Sequence, residues 1–249
     1  MKKILTIFLS IVFTCISGLT TAQNIYPKYE YKVNVGYNIG GSAPIPLPVE
    51  IREIKSFKPV LFAPHVGIEA TSWLSNKWGI AAQLGLDYKG FTVEARVKSL
   101  RTEMEMQYEK YVGHFTGNNK TEIKNIYVTL PVMATHRLSD EWLIQFGVYI
   151  AYLHKPSFKG TASEGYIRED DPTGAKTEVD FANFNFSKEQ NEIDYGFAVA
   201  GEWNFYKRFA LKGQLSWGTR PLFASDFTGI TYKMYNIYGT IGFSYNLSR

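Results

Sequence analysis

Eight stretches of this chain alternate apolar and polar residues one by one, and that pattern restricts its fold more than any other feature. Successive side chains of a strand point to opposite faces, so each stretch reads as a strand with one greasy and one polar face. They cover 31–40, 62–74, 80–89, 125–138, 142–153, 193–205, 209–218 and 235–249. In the last, Tyr235, Ile237, Ile241, Phe243, Tyr245 and Leu247 oppose Asn236, Thr240, Gly242, Ser244 and Asn246. Two stretches carry irregularities. Leu143, Tyr149 and Leu153 lie on the polar side of 142–153, which leaves a buried helix open there. Pro131 cannot donate to a ladder, so a bulge is expected around it.

The connections add a second pattern. Three are short: Ser75-Asn76-Lys77, Ser139-Asp140-Glu141 and Tyr206-Lys207-Arg208. The others, roughly 41–60, 91–120, 155–190 and 219–232, are long. Short and long alternate strictly, as in up-and-down barrels that cross a membrane with short periplasmic turns and long outer loops. A chain entering from the periplasm sends its first strand outward, so its first connection should be long, and it is.

The N-terminus agrees. Lys2 and Lys3 precede the apolar run ILTIFLSIVFTCI, and Thr20-Thr21-Ala22 offers small residues for cleavage before Gln23. Residues 1–22 read as a secretory signal peptide, too short for a membrane span, leaving 23–249 as one domain. The only cysteine, Cys15, leaves with that segment, so the mature chain has no disulfide or thiol chemistry. Losing the two lysines takes the formal charge from +4 to +2. That is no nucleic-acid footprint.

The polar faces hold charges in mid-strand: Lys32, Glu69, Asp87, Lys89, Asp194, Glu202 and Lys212. If the greasy faces meet lipid, these seven form a charge network inside the barrel and must find partners, because lone buried charges are costly. Small residues on the same faces, among them Gly36, Gly67, Gly85 and Gly242, suit the narrow interior of eight strands. Such a barrel is no general porin. Trp73, Trp78, Trp142, Trp203, Phe205 and Phe209 cluster around the short turns, where an aromatic girdle would meet the headgroup layer.

Several segments bear a family resemblance. GGSAPIPLPVEIREI (40–54), HFTG (114–117), GYIRE (165–169), PTG (172–174) and MYNIYGTIGFSY (234–245) resemble the PorT-type outer-membrane β-barrel family of Bacteroidetes over nearly the whole mature chain. The resemblance implies an outer-membrane barrel of a Gram-negative bacterium. It carries over no catalytic residue and does not by itself confer a role in secretion.

Chemistry is sparse. His65 and His154 fall near the outer strand ends, His114 in the second long loop and His136 near a periplasmic turn, without metal-ligand spacing. No catalytic, cofactor or metal residue is assigned. The expectation is therefore an all-β, eight-stranded antiparallel up-and-down transmembrane barrel with both termini in the periplasm. It is expected to be monomeric, non-enzymatic and surrounded by outer-membrane lipid. Its long loops would form a structural surface or meet an extracellular protein or glycan. The alternatives are a lipid-modifying outer-membrane enzyme and a secreted soluble barrel for a small hydrophobic ligand.

Overall fold

The computed structural model describes residues 29–106, 109–169 and 171–248, so the expected signal segment 1–22 lies outside the described residues. Apart from its loops, the described chain is antiparallel β with a single 3-10 turn at Ser187–Glu189. Its strands are β1 (Tyr29–Pro44), β2 (Ile51–Pro59), β3 (Pro64–Trp73), β4 (Trp78–Met106), β5 (Glu109–Arg137) and β6 (Trp142–Lys155). They continue with β7 (Phe158–Glu169), β8 (Lys176–Asn185), β9 (Ile193–Tyr206), β10 (Phe209–Gly218) and β11 (Met234–Asn246).

Eleven strands replace the expected eight. The eight alternating stretches all form strands, including 142–153, where Leu143, Tyr149 and Leu153 simply point inward. What differs is the long connections. β2 occupies the first, β7 and β8 the third, and 91–120 continues β4 and β5 to 29 residues each.

The pairings run β1–β3–β4–β5–β6–β9–β10–β11, and β11 pairs again with β1 from Lys32↔Asn246 to Pro44↔Met234. The other three strands attach to the far ends of β4 and β5. β2 lies along 91–97 of β4, β7 along 113–123 of β5, and β8 along β7. β8 returns to β4 at Glu105↔Asn183.

Local sequence explains the short turns. In Ser75-Asn76-Lys77-Trp78 the Trp78 amide donates to Ser75 Oγ at 3.0 Å, and in Ser139-Asp140-Glu141-Trp142 the Trp142 amide donates to Ser139 Oγ at 3.1 Å. A serine followed three residues later by tryptophan closes both hairpins the same way. The expected bulge at Pro131 is absent. Pro131 faces Tyr149 in unbroken register with β6, and the β4 ladder merely skips Gln83 and Leu84 before resuming in the same register. Omitting these two pairs is enough to accommodate the missing N–H.

Candidate functional site: a charged interior and the sheet above it

In the eight strands that pair in the order β1–β3–β4–β5–β6–β9–β10–β11 the polar faces are buried and the apolar faces exposed. All seven expected interior charges are buried. Lys32 Nζ donates to Glu202 Oε1 at 2.6 Å, with Glu30 Oε1 3.8 Å away. Lys212 pairs with Glu69, which also accepts from Gln145 Nε2 at 3.2 Å.

The other three charges use different partners. Asp87 lies 2.7 Å from His65 Nδ1 and accepts from Asn38 at 3.0 Å and Thr129 at 2.6 Å. Asp194 accepts from Tyr149 OH at 2.9 Å and Asn236 at 3.0 Å. Lys89 sits in a cage of rings, its ammonium 5.1, 5.4 and 5.7 Å from the centres of Tyr238, Tyr127 and Tyr149. Aromatic faces stabilise a cation at such distances. Sequence reasoning missed this cage, although Tyr127 and Tyr149 share strand parity with the polar face.

Little space remains among these groups. A void bounded by Asn34, His65, Gln83 and Lys212 measures about 10 Å³, room for about one water. Glycine makes this density attainable: a Cβ on Gly85 would stand 2.8 Å from Thr129 Oγ1.

Five of the six expected girdle residues are outside. Trp78, Trp142, Trp203, Phe205 and Phe209 are between 40% and 48% exposed around the short turns, and the Trp142 and Trp203 rings stack at 6.0 Å. Trp73 is a correction. It is 8% exposed, its indole N–H donates to Glu30 Oε2 at 2.9 Å, and the Arg137 guanidinium lies 4.2 Å from its ring centre. The reason is parity, since Trp73 shares its strand face with His65, Glu69 and Thr71.

Above Lys89 the polarity inverts. Along β4 the outer face runs from Ile80, Leu84 and Leu86, all exposed, to Glu94, Arg96 and Lys98. The inner face runs from Gln83, Asp87 and Lys89 to Phe91, Val97, Leu100 and Met104, all buried. β5 changes at the same level, where Asn125 opposes Lys89. Below this point Val132 is exposed and Thr129 buried; above it Lys120 is exposed and Phe115 buried. Charges bridge the upper outer face, Glu94 to Lys120 at 2.9 Å and Glu103 to Lys110 at 2.6 Å.

Two apolar clusters fill the upper region, one around Phe158, Phe184 and Phe223, the other around Leu100, Phe115 and Ile167. Between them lies a cavity of about 200 Å³. Tyr232 stands on its wall, its hydroxyl pushed up to about 12 by burial and the nearby Glu50 carboxylate. A second depression of about 540 Å³ is lined by charged side chains, among them Lys110, Lys120, Lys159, Glu103 and Glu122.

The histidines stay apart. His65 is interior, His114 lies 3.4 Å from Ser99 Oγ, His136 packs on Trp78 at 4.1 Å and His154 is exposed. No cluster of three metal-ligating side chains occurs among the described residues.

A family model described as outer membrane protein beta-barrel domain matches residues 21–224. No curated protein matches the chain. Among solved structures the chain is similar to Ail, the attachment invasion locus protein of Yersinia pestis, in complex with the heparin analogue sucrose octasulfate. Identity is 9%, coverage 89% of this chain and 100% of that one, and the TM-score 0.40. It is also similar to Neisserial surface protein A, at 7% identity, 88% and 97% coverage and a TM-score of 0.35. No helix among the described residues is long and apolar enough to cross a membrane.

Proposed function

Because this chain belongs to the outer membrane protein beta-barrel domain family, we propose that β1, β3, the lower halves of β4 and β5, β6, β9, β10 and β11 close a transmembrane barrel. The upper strands then stand on the cell exterior and both termini in the periplasm. The observation that carries this is the inversion of β4 and β5 at Lys89 and Asn125. Below it, Ile80 to Tyr88 is about the length that a tilted strand needs to cross the hydrocarbon layer, roughly 9–11 residues. Above it, the outer face is that of a water-soluble sheet.

The interior argues for a plugged barrel and against a conduit. Paired charges and tyrosines occupy the space that a channel would need, in keeping with the tight interiors of eight-stranded barrels. We assign the protein a non-enzymatic role in which the upper sheet is the working part, presented as a structural or binding surface. The charged depression beside Lys159 is the place for a polar extracellular partner. The resemblance of the proline-rich segment 40–54 and of the GYIRE and PTG segments supports a reading of the chain as PorT-type, exported with cleavage after Ala22.

The test uses the absence of cysteine from 23–249. Asp180→Cys, on the exposed part of β8, and Asn76→Cys, in a short turn, are labelled on intact cells with a membrane-impermeant maleimide. Labelling at Asp180 and none at Asn76 is expected. Equal or reversed labelling overturns the orientation, and recovery of the protein without detergent overturns the membrane assignment.

A further inference from the structure

The cavity of about 200 Å³ has no charged side chain in its wall, in a protein in which 20% of residues are charged. Its inner wall is buried hydrocarbon, including Phe91, Val97, Leu100 and Phe158. β2 forms the other side with Ile54 and Phe57, which are 51% and 48% exposed. The Phe57 ring leans on Phe91 at 5.3 Å. The cavity is therefore walled by packed strands on one side and by a single edge strand on the other.

We infer that this cavity is a binding site for one uncharged hydrocarbon group, a single aromatic ring or a short alkyl chain, admitted past β2. The size supports this. An apolar cavity of about 150 Å³ stays dry and accepts benzene, and this one is somewhat larger. Polarity supports it as well. Ser42, Thr102, Asn119, Thr121 and Tyr232 contribute the polar side chains of the lining, enough to orient a neutral polar end, with no charge to pair with an ion.

The hydrocarbon has two sources, a free small molecule or the acyl chain of a membrane lipid. The full protein is placed in lipid nanodiscs and titrated with trifluoromethylbenzene, read by fluorine NMR against empty nanodiscs. Separately, protein extracted from outer membranes is analysed for co-purifying lipid by native mass spectrometry. Ala95→Phe on β4 and Ala43→Phe on β1 each project a ring into the cavity from a different strand. Asp180→Ala on the outer surface is the control, and heat-modifiable gel migration reports folding of every variant.

Saturable one-to-one binding, weakened at least tenfold by whichever filling variant folds and unchanged in the control, is expected for a free ligand. A co-purifying lipid that is lost from the filling variants assigns the site to an acyl chain. If neither appears, or if both filling variants fold and bind like the unaltered protein, the site does not exist.

Discussion

Between Trp78 and Lys89, β4 turns Gln83 and Asp87 inward and Ile80, Leu84 and Leu86 outward; between Phe91 and Met104 the same strand turns phenylalanine, leucine and methionine inward and Glu94, Arg96 and Lys98 outward. Both regions belong to one strand and pair antiparallel with β5. The proposed surroundings differ, lipid below and water above, and each region faces its surroundings with matching side chains. The upper region is held by apolar burial, worth about 25 cal/mol for each Å² removed from water. The lower region gains nothing of that kind on its lipid side. Its interior must be held by hydrogen bonds and ion pairs, each made without surplus.

The sharpest way to break this comparison is to unpair one interior charge. Lys212 is 6% exposed and Glu69 is fully buried, so Lys212→Met takes away the ion pair and leaves the carboxylate the Gln145 hydrogen bond and the more distant charge of Lys32. Removing one member of a buried pair costs about 3–5 kcal/mol. Urea unfolding from lipid vesicles should show a loss of that size, and Lys212→Met combined with Glu69→Gln should recover much of it. A single variant as stable as the parent would mean that water reaches the interior and that the barrel is not plugged.

A smaller effect is expected on the outside. Leu84 is 54% exposed at mid-barrel. Leu84→Arg places a charge against lipid and should cost about 2–4 kcal/mol near the bilayer midplane. The same vesicle measurement reads it. A loss below 0.5 kcal/mol, the usual range for water-exposed sites (about ±0.5 kcal/mol), would put water where the proposal puts lipid.

The lower region was legible in the sequence because its side-chain period stays at two and its surroundings are uniform. The upper region was not, because bulges break the period. β2 shifts register twice against β4, between Ile51 and Glu53 and between Ile54 and Ser56. Ile51, Ile54 and Phe57 then recur every third residue and imitate no strand. On β4 the inward residues are odd-numbered through Val97 and even-numbered from Leu100 onward. The change falls at Ser99, whose φ is 54° and where the pairing with β5 slips. β7 carries a similar break at Glu164, with φ 51°. A reader following alternation sees polar, irregular loops where the chain keeps its sheet and moves its faces. Trp73 failed for the opposite reason: its parity was plain, but its position beside a turn suggested a girdle. The charge partners were half legible. Burial of Lys89 follows from parity, whereas its three tyrosines come from strands distant in sequence, and only the ring brings them together.

The smallest effect is also the one that decides where the two regions meet. Arg96 lies on the same outward face of β4 as Leu84, twelve positions further along and seven past Lys89. Its register neighbours are Glu53 on β2 and Asn118 on β5, and it is exposed. If water surrounds this level, Arg96→Leu removes a solvated charge and changes stability by no more than about 0.5 kcal/mol. If the bilayer were instead centred at this level, the same substitution would relieve a lipid-facing charge and stabilise the protein by roughly 2–4 kcal/mol. The two outcomes differ in size by a factor that vesicle unfolding resolves, and only the first is compatible with a boundary at Lys89. With Leu84→Arg measured beside it, the pair brackets the change of surroundings to one stretch of one strand.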